Sequence, residues 1–179
     1  MRGFTLVEMI ITVGIFIVIT SLIFINYPQF IERVSLTRTS QEIALSLHQA
    51  RTYALSVKQF TLDGVSYFAG YGIYFDISTP DSYILFADIN ENRKYDEYEK
   101  VEEFKIQTHC KFANLCINQK SSPPGNCVSK VNVVYQRPAP DVSIKGDASF
   151  ASDAEIYIES PSGIQKLITV WSTGQVSVE

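Results

Sequence analysis

Residues 4–25 form an almost unbroken apolar run, and its one carboxylate, Glu8, is the only charged side chain between Arg2 and Glu32. About 17–25 apolar residues span a bilayer as a helix, so the run is long enough to cross. Arg2 and the terminal amine precede it, which keeps the start on the cytoplasmic side and makes the chain single-pass. A secretory signal peptide has a shorter apolar stretch with a small-residue cleavage site behind it; no such site follows here. Glu8 is the anomaly. A carboxylate within a spanning helix costs on the order of 2.5–3.5 kcal/mol at the bilayer centre and less toward the interface. No Lys or Arg lies one turn away to neutralise it.

The residues around Glu8 carry a resemblance. Met1-Arg2-Gly3 followed by Phe4-Thr5-Leu6-Val7-Glu8 resembles the prepilin leader of type IV pilins and type II secretion pseudopilins. The resemblance implies that a membrane prepilin peptidase cuts after Gly3 and that the same enzyme, as N-methyltransferase, methylates Phe4. It implies that Glu8 pairs with the terminal amine of a neighbouring subunit during assembly. It also implies partners: other pilin or pseudopilin subunits, the membrane, and an inner-membrane assembly platform. The physics agrees with it. Cutting after Gly3 creates a positive amine at the edge of an apolar helix, with Glu8 about one turn in. A buried charge alone is costly and a paired one is tolerated, so the pair would favour one stagger between subunits.

Beyond residue 27 the pattern changes. Pro28 removes a backbone donor and bends or breaks a helix; the family has a helix-breaking residue in this region, and Pro28 lies slightly later than its usual position. Leu36, Ile43, Leu47, Ala50, Ala54 and Val57 then recur mainly at steps of three and four, one apolar stripe of an amphipathic helix. Arg38, Gln41, Glu42, Gln49, Arg51 and Lys58 occupy the opposite face. The segment 50–56 is similar to the H-type minor pseudopilin and T-type minor pilin group. From residue 60 the chain reads as strands and turns, with runs at 71–77, 82–87, 100–107, 131–136, 154–159, 164–171 and 175–178, the last two as a hairpin. Asp63-Gly64, Pro161-Ser162-Gly163 and Thr173-Gly174 punctuate them. Proline-rich stretches at 121–125 and 137–140 read as exposed loops. The expected organisation is a leader (1–3), a spanning and assembly half-helix (4–27), an amphipathic half-helix (28–59) and a β-rich domain (60–179). That is an α+β plan, and the resemblance implies the pilin fold, with the long helix packed on one antiparallel sheet. It places the domain outside the cytoplasm and, after assembly, in a filament.

One segment could hold a cation. Residues 88–99 put Asp88, Asn90, Asn92, Asp96 and Glu99 at positions one, three, five, nine and twelve of an EF-hand loop, with the Lys94 carbonyl at seven. Calcium takes several hard oxygens, which this set supplies. Two features depart from the pattern: Arg93 occupies position six, where glycine makes the sharp turn, and the loop lies between strands rather than helices. Similar D-x-N-x-N loops occur in minor pilins and H-type pseudopilins as polar hairpin connections. A solvated turn and a calcium site both stay open.

Cys110, Cys116 and Cys127 lack C-x-x-C zinc spacing. One disulfide with a thiol left over fits an outward-facing domain, as do three unpaired cysteines, and spacing does not choose the pairing. With 15 basic and 19 acidic residues the net charge is −4, a poor match for nucleic acid; Lys111, Lys120, Lys130 and Arg137 are scattered. There is no G-x-S-x-G, H-E-x-x-H, Walker loop or dinucleotide fingerprint, so no enzyme is expected. The leading expectation is a structural minor pilin or pseudopilin. The alternatives are a pilus-tip module capturing DNA or a surface ligand, and a plain membrane-anchored β-domain.

Overall fold

A computed structural model describes residues 4–106, 109–137 and 142–179, with backbone only at 25 and 26. The leader residue Gly3, Gln107 at the end of an expected strand, and 138–140 of the second proline loop lie outside the described residues. The chain opens with one helix, α1 (Leu6–Leu55). At about 1.5 Å per residue it is roughly 75 Å long, far longer than a domain of this size needs. Thr5 caps it, its Oγ1 accepting the Glu8 N–H at 3.3 Å. The helix runs through Pro28; the first helical half and the second are one element rather than two.

The two halves live in different surroundings. From Leu6 to Val34 the large apolar side chains that are described are exposed. From Leu36 the stripe expected from spacing turns inward, and Leu36, Ile43, Leu47, Ala50 and Ala54 are all buried. The three large aliphatics among them contribute roughly 1.5–3 kcal/mol each. Val57 breaks the expectation: it is 43% exposed because the helix stops at Leu55 instead of 59. Ser56 is the C-cap, Val57 takes the left-handed backbone at φ 58°, and the Lys58 N–H bonds to the Tyr53 carbonyl at 3.2 Å. That is a Schellman closure with a β-branched residue where glycine is usual.

The remaining elements are β1 (Phe60–Leu62), β2 (Val65–Tyr67), β3 (Gly70–Asp76), β4 (Ser82–Asp88), a 3-10 turn (Glu97–Glu99), β5 (Lys100–Lys105), β6 (Lys111–Ile117), β7 (Asn126–Val128), β8 (Lys130–Tyr135), β9 (Val142–Lys145), β10 (Phe150–Ala151), β11 (Asp153–Glu159), β12 (Gln165–Trp171) and β13 (Val176–Val178). All pairings are antiparallel. The α+β plan therefore holds, but the β part differs from the single sheet expected. β1 and β2 form a hairpin, a six-stranded sheet runs β10-β9-β8-β3-β4-β5, and a five-stranded sheet runs β13-β12-β11-β6-β7. The terminal hairpin is present as β12–β13.

Helix α1 packs on β3 and β8 of the larger sheet and on β11, β12 and β13 of the smaller, and one apolar cluster joins all three layers. Phe75 on β3 meets Phe112 on β6 edge-on at 5.5 Å. The strands obey the alternation of side chains: Tyr71, Ile73 and Phe75 enter this core, as do Tyr83, Leu85 and Ala87. At the junction of the two helix halves, the Ser162 N–H donates to Glu32 Oε2 at 3.3 Å, and the Ser162 hydroxyl donates to the same oxygen. The β11–β12 turn is thus tied to the helix just where burial begins.

The opposite face of the larger sheet is also covered. Gly72, Tyr74, Phe86, Asn132 and Val134 point away from the core, and Phe86 and Val134 are nonetheless fully buried. The loop after β4 folds back over them. Tyr95 stacks on Tyr74 at 4.9 Å, meets Phe86 edge-on at 5.6 Å, and donates its N–H to Asn132 Oδ1 at 2.9 Å.

Candidate functional site

Two features stand apart from the packing. The first is the leading half of α1. Among the described residues this is the one helix long and apolar enough to cross a membrane. Phe4 is 77% exposed, Glu8 and Pro28 are exposed, and Gly14 has open space where a side chain would stand. The hydroxyls of Thr12, Thr20 and Ser21 donate back to the carbonyls of Met9, Phe16 and Ile17. Those bonds hide the polar atoms, as an apolar solvent requires. Glu8 has no such device: among the described residues no cation pairs with its carboxylate.

The second is the 88–99 loop, which carries the six named residues between β4 and β5. Asp88 ends β4 and is completely buried; Glu99 closes the 3-10 turn and is completely buried too. Asp88 Oδ2 accepts the N–H of Arg93 and the side-chain amide of Gln136, both at 3.2 Å. Asp88 Oδ1 is buried and accepts nothing from any described residue. Glu99 Oε1 accepts the N–H of Ile89 at 2.9 Å, and Oε2 that of Asp96 at 3.3 Å, the second half of a capping box. Asn90 Oδ1 takes the Asn92 N–H at 3.0 Å and Asn92 Oδ1 the Lys94 N–H at 2.7 Å. Asp96 Oδ2 accepts from the side-chain amides of Asn90 and Asn92, each at 2.8 Å. Arg93 supplies the sharp turn at φ 61°, so the missing glycine changes the cost of this turn and not its shape.

Burial pushes the Asp88 carboxyl above the usual carboxylate range against the hydrogen bonds that lower it, with the Glu91 charge adding to the rise. Burial does the same to Glu99, and the Asp88 charge adds to it. Two buried carboxylates therefore oppose one another, and among the described residues no Lys, Arg or His pairs with either. The nearby cations are engaged elsewhere: Arg93 reaches Gln136 Oε1 at 3.3 Å, Lys145 the Asn92 carbonyl at 3.0 Å, and both lie over the Phe150 ring. Among the described residues no three His, Cys, Asp or Glu side chains converge on one point; Asp96 faces the two asparagine amides instead.

Sequence reading missed Gln136, Asn132 and Tyr95, which hold this loop on the sheet. Asn132 lies on β8 and Gln136 directly after it, far along the chain, and nothing local marks them. Tyr95 had a signal, being an aromatic residue within a polar stretch.

Cys116 and Cys127 face each other across β6 and β7 and form a disulfide, while Cys110 is buried in the core. The intervening turn is organised by Asp153, fully buried, which accepts the N–H groups of Lys120 and Ser121 and the Ser121 hydroxyl. Taken together the fold and these features define a class: an α+β protein with one exposed apolar N-terminal helix able to anchor it in a membrane. No family profile matches the chain, and no curated protein or solved structure matches it either.

Proposed function

We propose that the chain is a structural subunit of a type IV pilin-like filament, a minor pilin or pseudopilin. The observation that carries this reading is the divided helix. Its leading half is apolar and exposed and its second half is the spine of the domain core. An exposed apolar surface of that size has to be covered by lipid or by other apolar helices. The chain would be inserted with its start in the cytoplasm and its domain outside. A prepilin peptidase would cut after Gly3 and methylate Phe4, and the assembly platform would move the subunit into the filament. There the Phe4 amine of one subunit would answer Glu8 of another, since a buried carboxylate is tolerated when paired.

Mass spectrometry of the chain co-expressed with the peptidase tests the first step: a mature protein starting at methylated Phe4 is expected, and retention of Met1 refutes it. Glu8→Ala tests the second. Membrane insertion should persist while incorporation into purified filaments falls, and equal incorporation of Glu8→Ala refutes the role of Glu8. A processed chain that never enters filaments would favour a plain anchored domain.

A further inference from the structure

We propose that the 88–99 loop is a binding site for a divalent cation of the calcium type. The decisive observation is Asp88. Its side chain is fully buried, yet only one of its two carboxylate oxygens is satisfied. A buried oxygen without a donor costs on the order of 1–3 kcal/mol, more when charged, and native structures rarely leave one. The Arg93 N–H, from across the loop, holds Oδ2, and the Asp88 charge reaches Glu99, whose carboxyl it raises. The Asp88 carboxylate thus lies inside the ring of the loop.

A cation there removes three difficulties at once. It gives Asp88 Oδ1 a partner, neutralises two buried like charges, and does so where no lysine or arginine side chain among the described residues pairs with either. The ligand set is Asp88, Asn90, Asn92, Asp96, Glu99 and the Lys94 carbonyl, all oxygen donors. That composition suits a hard cation with six to eight ligands and excludes a soft one. Binding requires Asp96 to give up its bonds to the side-chain amides of Asn90 and Asn92. Each of those is an exposed hydrogen bond that water or metal can replace. Because Tyr95 in the same loop closes the outer face of the larger sheet, the cation would clamp the loop onto the domain. This inference does not rest on the filament reading.

The test is calorimetric titration of the full chain in detergent micelles with Ca2+ alone, then Mg2+, alongside thermal unfolding. Saturable Ca2+ binding is expected, with a Kd on the order of 10⁻⁴–10⁻³ M, the range of extracellular modules, and with a rise in Tm that Mg2+ does not match. Asp96→Asn, at a partly exposed position, should keep the fold and weaken binding at least about tenfold. Asp88→Asn should abolish binding while raising the Tm of the metal-free protein, because it removes the buried charge. Glu91→Gln, outside the ligand set, should bind as the parent does. No saturable binding up to about 10 mM Ca2+, ten times the weak end of that range, overturns the proposal. So does undiminished binding by both Asp96→Asn and Asp88→Asn.

Discussion

Gly72 is the tightest point beneath the 88–99 loop, and replacing it by alanine should expose how that face is built. A Cβ on Gly72 would lie 2.7 Å from the Val133 carbonyl oxygen and 2.9 Å from two carbons of the Phe86 ring. The first neighbour is backbone of the paired strand β8 and cannot turn away. The second is a fully buried ring held down by Tyr95. Overpacking of this kind costs about 1–3 kcal/mol. A backbone clash this close lies in the upper half of that range, and replacing glycine by alanine recovers about 0.4–1 kcal/mol through the unfolded chain, which leaves a net loss of about 1–2.6 kcal/mol. Phe86→Leu takes away the ring atoms but not the carbonyl contact. In that background Gly72→Ala should therefore cost roughly 1 kcal/mol less than in the parent, and still more than zero. Urea unfolding of the full chain in micelles, followed by near-ultraviolet circular dichroism, reads this out. With a slope near 2 kcal/mol per molar the coupling moves the midpoint by about 0.5 M. Additive behaviour within about 0.3 kcal/mol, or a neutral Gly72→Ala, would refute the account of that face.

Three further outcomes follow from the same geometry. Val57→Gly should raise stability by about 1 kcal/mol, since a β-branched residue there holds a left-handed backbone; an unchanged urea midpoint would contradict it. Cys116→Ser with Cys127→Ser should lose about 2.8 kcal/mol by loop-closure entropy for a separation of 11 residues. A non-reducing digest should show the two peptides joined. Burial alone would raise the Asp76 carboxyl, but the Tyr74 hydroxyl at 2.6 Å, the Ser78 N–H at 2.7 Å and the Lys130 charge outweigh it and hold it below its usual value. A folded pKa below the unfolded one gives stability that is present above about pH 4 and lost as pH falls through the folded pKa. Tyr74→Phe should shift that acid limb to higher pH, as stability measured between about pH 2 and 5 would show.

The divided helix was legible because both halves write a local pattern: an unbroken apolar run, then an apolar stripe. The strands carrying clear alternation, at 71–77 and 154–159, were legible for the same reason. β7 and β10 were not, since runs of three and two residues hold no period. The second sheet was hidden for a different reason. β6 lies between Cys110 and the proline loop, and its pairing with β11 joins positions some forty residues apart, which no local pattern encodes. At the loop, spacing picked out the oxygen donors, yet only the structure shows that Asp88 and Glu99 are buried. Residue type argues for exposure of both, and the covering groups, Gln136 and Tyr95 among them, owe their places to the fold.

The same division of the helix limits how the protein can move. Leu36, Ile43 and Leu47 are fixed in the core, so the domain cannot slide along the helix without giving up several kcal/mol of burial. The Glu32–Ser162 contact sits one turn before that core begins. Any movement of the exposed half of the helix must therefore carry the domain as a rigid load, and any bending is confined to the segment ahead of Glu32, where Pro28 lacks an N–H to give the preceding turn. A second proline at Val34 would put a break beside the clasp instead. It should loosen the domain from the helix and lower the urea midpoint, whereas Pro28→Ala should leave that midpoint unchanged because residue 28 touches only the half that the core does not hold.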